Sequence, residues 1–214
     1  MNTSQLKQMM LSTAQQMIER EPMLTELDQV IGDGDHGIGM KRGFSALVKL
    51  INDQNFQPLN VGECWVQMGT TLMTSMGGAS GAVFGTLFRA GGKSLAGETE
   101  FSAVSLARWL NQGWLAVHAR GGAKPGDKTM VDALAAAAEA ANSAQSLPLD
   151  EALSRCAEAA DQGAEGTKMM VASFGRAKNL GERAIGHCDP GAVSMALILR
   201  FMAQYAEQYA ETER

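Results

Sequence analysis

Three carboxylates, Asp28, Asp33 and Asp35, fall within eight residues in the segment LDQVIGDGDHG. Like charges about 4 Å apart repel by about 1 to 4 kcal/mol between water and a protein surface. Such a cluster is therefore either spread in solvent or gathered on a cation. The interleaved glycines let the backbone bend so that the carboxylates converge. Donors that are all oxygen suit Mg2+, which often bridges protein carboxylates to phosphate oxygens. A solvated Asp-Gly turn is the other reading, and spacing alone does not choose between them.

Further glycine-rich stretches carry polar groups. GGASG (77–81) follows a helix ending near Ser75 and opens another near Ala79. Free N–H groups at Gly77, Gly78, Ala79 and Ser80, with the Ser80 hydroxyl, make an anion seat; a tight turn capped by Ser80 is the alternative. KPGDKTM (124–130) places Asp127 as a helix cap, with Lys128 and Thr129 after it. HCDPG (187–191) places Asp189 before Pro190, the first residue of a last helix, again as a cap. His36 can donate to a phosphate or act near neutral pH, although a loop histidine is often only a surface hydrogen-bonding group. His187 is similar, and His118, at a helix end beside Arg120, complements the helix dipole.

Three familiar loops fail on inspection. Gly32, Gly34 and Gly37 satisfy G-x-G-x-x-G, but LTELDQVI before them reads as a helix, not the strand a dinucleotide fold needs. Counted from Asp33, the twelfth position is Phe44, where a calcium loop needs a bidentate Glu. LFRAGGKS has Leu87 where a phosphate-binding loop has its first glycine.

The elements that must hold these groups are helical. Val61, Trp65, Met68 and Leu72 fall at helical spacing, as do Val193, Leu197, Phe201, Tyr205 and Tyr209. Strand-like alternation is scarce, and only 6% of residues are aromatic. The pattern predicts helices over 4–20, 23–31, 38–52, 60–75, 79–95, 102–119, 127–144, 150–166 and 190–210, with a short helical piece near 168–174. The fold class is all-α, as one domain over 1–214. Short connectors suffice for such a bundle, so the glycine loops at 32–39, 77–81, 120–127 and 174–191 ask for a ligand, and an anionic one fits.

Composition narrows the partners. Hydrophobic residues make up 45% and charged residues 19%, a globular mixture. Eighteen basic residues against 23 acidic ones, net charge -5, disfavour nucleic acid. No apolar run approaches the ~20 residues of a membrane span, and no signal peptide opens the chain. Cys64, Cys156 and Cys188 are widely spaced and read as reduced thiols of a cytoplasmic protein.

Taken together, LDQVIGDGDHGIGMKRGF, TLMTSMGGASGAVFGTLF, RGGAKPGDKTMVDAL and GRAKNLGERAIGHCDPGAVS resemble, in that order, the nucleotide-binding subunits of dihydroxyacetone kinases. The resemblance implies an antiparallel barrel of about eight helices with nucleotide at one rim. It implies ADP, or ATP in the phosphorylated state, on two Mg2+ ions held by Asp28, Asp33 and Asp35. It implies phosphate contacts from His36, Gly37, Gly77, Gly78, Ala79 and Ser80. The nucleoside end falls to the segments with Gly126, Thr129, Met130, Gly181, Asp189, Pro190 and Gly191, and Arg176 is implied near the transferred phosphoryl group. Gly39 and Cys188 depart from the polar residues of some relatives.

Family members that fuse a ketose-binding domain to this one use ATP. Stand-alone members keep ADP and have it rephosphorylated by a phosphohistidine protein of the sugar phosphotransferase system. The expectation here is the stand-alone form, partnered by a dihydroxyacetone-binding subunit. Another ketose or acceptor, such as that of fatty-acid kinases, free ATP as donor, a regulatory binding role with a transcription factor, and a homodimer stay open.

Overall fold

The computed structural model describes residues 1–212, so the last two residues of the domain expected over 1–214 lie outside the described residues. Nine α-helices occur among them: α1 (Thr3–Glu19), α2 (Glu21–Ile31), α3 (His36–Asn52), α4 (Val61–Ser75), α5 (Gly78–Ser94), α6 (Ala103–Gly121), α7 (Met130–Ser143), α8 (Leu149–Gly166) and α9 (Pro190–Thr212). No strand forms among the described residues, so the all-helical expectation holds. Polar side chains start several of these helices. Asn2, Asn60 and Ser102 each accept a backbone N–H of the first turn, satisfying donors that the helix itself leaves over.

Eight of the helices close a ring. Successive pairs pack from α3 to α9, and α1 packs on both α3 and α9. The ninth, α2, lies outside the ring against α3 and α9. Helices α7 and α8 meet through small residues, with Ala133, Ala137 and Ala141 buried on one and Ala157, Ala160 and Ala164 on the other. Inside the ring Trp65 stacks near Trp109 with ring centroids 4.4 Å apart, and Phe88 and Phe101 close the cluster. Burying rings of this size supplies much of the apolar driving force. No helix among the described residues is long and apolar enough to cross a membrane.

A ring whose neighbours reverse direction puts every second connector on the same rim. The connectors α2–α3, α4–α5, α6–α7 and α8–α9 accordingly line one cleft. These are the four glycine-rich stretches.

Two expectations are corrected. Helix α7 starts at Met130, not near 127, because Thr129 caps it and Asp132 returns a bond to the Thr129 N–H. Asp127 instead closes its own turn, accepting the Lys124 N–H at 2.9 Å. The expected piece at 168–174 is a 3-10 turn only over Thr167–Met169; two short 3-10 stretches within Arg176–Ala184, kinked at Gly181, follow where a loop was expected. The chain turns extended at Met170, with ψ 149, which ends the first turn, and Gly175, with φ 66, leads into the second.

Candidate functional site

Helix α2 ends at Ile31, and α3 starts five residues later. Between them the chain turns through Gly34, whose φ of 76 suits glycine. Asp28 projects from the last turn of α2, and Asp33 and Asp35 from the bend. One oxygen from each of the three carboxylates lies within 4.8 Å of the others. Asp35 precedes α3 but makes no side-chain cap. Asp28 caps α3 across the bend, accepting the His36 N–H at 3.2 Å. The acidic group thus sits at a helix N-terminus, whose partial positive charge offsets some of its repulsion. The Asp35 carboxyl is still pushed above the usual range, chiefly by desolvation and then by Asp33 and Asp28. Arg176 reaches the bend from the 3-10 segment, with its Nη2 2.8 Å from Asp33 Oδ2.

The second wall is the start of α5. No side chain caps this helix, so the N-terminal amides of Gly78, Ala79 and Ser80 present a site for an anion. Gly77, Gly78, Ala79 and Ser80 all line the cleft. Ser80 is not a cap: its hydroxyl lies 3.1 Å from His36 Nδ1. His36 is buried, and its Nε2 lies 2.7 Å from the Ser194 hydroxyl of α9. Burial pushes the imidazole below its ordinary pKa, against the pull of Asp28 and the Pro190 carbonyl. The surface-histidine alternative therefore fails, because the bend and two helices enclose the ring. Ser194 was not foreseen, being 158 residues from His36 in sequence. Nor was Arg42, one turn beyond Ile38 on α3, which donates from Nε to the Ser75 carbonyl at 2.7 Å and from Nη2 to that of Met76.

The third wall carries Thr129 and Met130 at the start of α7 and Asp189, Pro190 and Gly191 at the start of α9. Asp189 caps α9 as expected, accepting the Ala192 N–H at 2.8 Å. Desolvation pushes its carboxyl up to about 7, while that N–H and Lys128 pull it down. The walls enclose a cleft of about 790 Å³. A second hollow, between α8 and α9, has its charges already paired, Lys168 with Glu165 and Arg200 with Asp161.

Three glycines expected at the site do not line the cleft. Gly126 points its N–H at Asp132 Oδ1, 2.6 Å away. Gly181, with φ 56, is the kink between the two short 3-10 stretches of Arg176–Ala184 and is not part of the cleft wall. Gly37 faces α2: a Cβ there would stand 2.5 Å from both the Glu21 carbonyl oxygen and the Thr25 nitrogen. Its role is to let α2 and α3 touch, which sets the reach of Asp28. Gly37→Ala is expected to cost about 1 to 3 kcal/mol by overpacking and to lower the melting temperature by several degrees. Unchanged melting would show that the two helices part freely.

The sequence matches the DAK2 domain over residues 30–204. It is 38% identical over 187 residues to the PEP-dependent dihydroxyacetone kinase, ADP-binding subunit DhaL, of Escherichia coli, covering 86% of this chain and 88% of that one. It is 37% identical over 186 residues to the PTS-dependent dihydroxyacetone kinase, ADP-binding subunit DhaL, of Lactococcus lactis, covering 87% and 88%. The fold superposes on the crystal structure of the dihydroxyacetone kinase from C. freundii in complex with AMP-PNP and Mg2+ with a TM-score of 0.74 and 27% identity, spanning 92% of this chain and 33% of that longer one. With the domain match over most of its length and these levels of identity, the chain belongs to the DAK2 family, alongside the ADP-binding subunits of dihydroxyacetone kinases.

Proposed function

We propose that this chain is the nucleotide-holding subunit of a dihydroxyacetone kinase acting in the cytoplasm. The observation that carries the proposal is the convergence of Asp28, Asp33 and Asp35 across one cleft from an uncapped helix N-terminus. Three carboxylates so close are mutually repulsive without a cation, and an all-oxygen set fits Mg2+. In this reading the three aspartates hold two Mg2+ ions, which when bound neutralise charge on the phosphates of ADP or ATP.

The chain's own groups do the rest. The amides of Gly78, Ala79 and Ser80 receive phosphate oxygens, and His36 holds the Ser80 hydroxyl in place. Thr129, Met130, Pro190 and Gly191 flank the nucleoside end. Arg176 stabilises negative charge spreading over the phosphoryl group in transfer, a reaction governed by alignment and charge rather than covalent catalysis.

The acceptor is dihydroxyacetone, or a close short ketose, held on a separate subunit. Bound ADP is rephosphorylated by a phosphohistidine protein of the sugar phosphotransferase system; that the E. coli and L. lactis relatives are named PEP-dependent and PTS-dependent supports this reading. Both exchanges need another protein to cover the mouth of the cleft. Ile38 and Phe174, which line the cleft and are 52% and 38% exposed, supply apolar surface for that contact.

The test is reconstitution. Purified protein is expected to release ADP and Mg2+ on denaturation. Mixed with the ketose-binding subunit and a phosphohistidine donor, it is expected to pass labelled phosphate to dihydroxyacetone. Protein that carries no nucleotide and gains no thermal stability from ADP with Mg2+ would refute the reading.

A further inference from the structure

Lys128 is an unusual residue for a connector. Its side chain is 1% exposed, and its backbone has φ 59, the one non-glycine residue with positive φ among the described residues. Left-handed backbone asks for Gly or Asn, and departures from that rule concentrate at ligand clamps. The ammonium supplies a reason for lysine here. It donates to the Thr167 carbonyl at 2.6 Å and to the His187 carbonyl. Thr167 ends α8, where exposed carbonyls carry partial negative charge.

The bonds continue past the lysine. The Thr167 hydroxyl donates to the Ala164 carbonyl at 2.6 Å and accepts the Asp189 N–H at 2.9 Å. The connector after α6, the end of α8 and the turn into α9 are therefore knotted at one buried cation. Two of those segments form the third wall: Thr129 and Met130 follow the lysine directly, and Asp189, Pro190 and Gly191 follow the turn that it holds. Desolvation lowers the Lys128 pKa, and Asp189, Cys188 and Asp132 raise it again.

We propose that Lys128 is a positioning residue for the nucleoside end of the nucleotide, setting the gap between Thr129–Met130 and Asp189–Gly191. This deepens the nucleotide reading and rests on it. The phosphate end, built from the acidic bend and the start of α5, shares none of the bonds made by the ammonium; it meets the start of α9 through His36, against the Pro190 carbonyl and Ser194, while the amides of α5 and the acidic bend stand apart from that turn. The two ends can therefore be separated by ligand.

Calorimetry on the full chain, well below its melting midpoint, compares ADP and inorganic pyrophosphate, each with Mg2+. Lys128→Met removes the ammonium and keeps the strained backbone; Lys128→Gly removes both. Each variant is expected to raise the Kd for ADP about 10- to 100-fold, the scale of a small misplacement in a site, and to leave pyrophosphate binding unchanged. If Lys128→Met does not fold, the relaxed Lys128→Gly carries the test. Wild-type affinity for ADP in either variant would overturn the proposal. So would an equal loss for both ligands, which marks general loosening. Wild-type protein that binds neither ligand would instead overturn the nucleotide reading itself.

Discussion

Asp35→Asn is expected to weaken Mg2+-dependent ADP binding by on the order of 100-fold, about 2.7 kcal/mol. Asp35 is the cleanest of the three aspartates to change, since Asp33 is also the partner of Arg176 and Asp28 caps α3. The substitution keeps shape and removes one charge. Without metal it relieves repulsion from Asp33 and Asp28, so the free protein should melt no earlier than wild type. The expected signature is thus split: an undiminished melting temperature alone, with the stabilisation by ADP plus Mg2+ lost. Melting curves with ADP and Mg2+, and with ADP and a chelator, read both halves. A variant that keeps the full metal-dependent shift would mean that Asp35 holds no metal.

Arg176→Ala is expected to act on rate instead. Its side chain is 74% exposed, and its ion pair with Asp33 is open to solvent. Exposed pairs of this kind contribute about 0 to 1 kcal/mol, so stability should scarcely move. The guanidinium stands at the cleft mouth beside the acidic bend, where charge would spread during phosphoryl transfer. Removing a group that acts mainly in the transition state lowers kcat and leaves binding largely intact. A fall in kcat of about 10²- to 10³-fold is expected, with ADP affinity close to wild type. Freeing Asp33 from its guanidinium partner should, if anything, favour metal. Single-turnover transfer beside calorimetry separates the two quantities. Equal losses in affinity and rate would make Arg176 a binding group.

Much of this was legible without coordinates. Helical spacing of apolar residues located every α-helix to within a few residues, because amphipathic periodicity is a local property of the chain. The acidic bend was equally legible, since its three carboxylates are neighbours in sequence. Where two local signals competed, the reading went astray. Asp127 and Thr129 are both good caps, and Asp132 decided for Thr129. At Gly37 the resemblance pointed to a phosphate contact, and what the fold adds is that its missing side chain lets α3 pack against α2.

The order and character of the elements, and the residues carrying the acidic charge, follow from the sequence alone, since each depends on neighbours only a few positions away. The pairing of His36 with Ser80 and Ser194, the burial of Lys128 beneath three loops and the reach of Arg176 to Asp33 were settled only when the ring closed. Those contacts join residues tens to more than a hundred positions apart, and no local pattern reports which distant groups a packed barrel will bring to one rim.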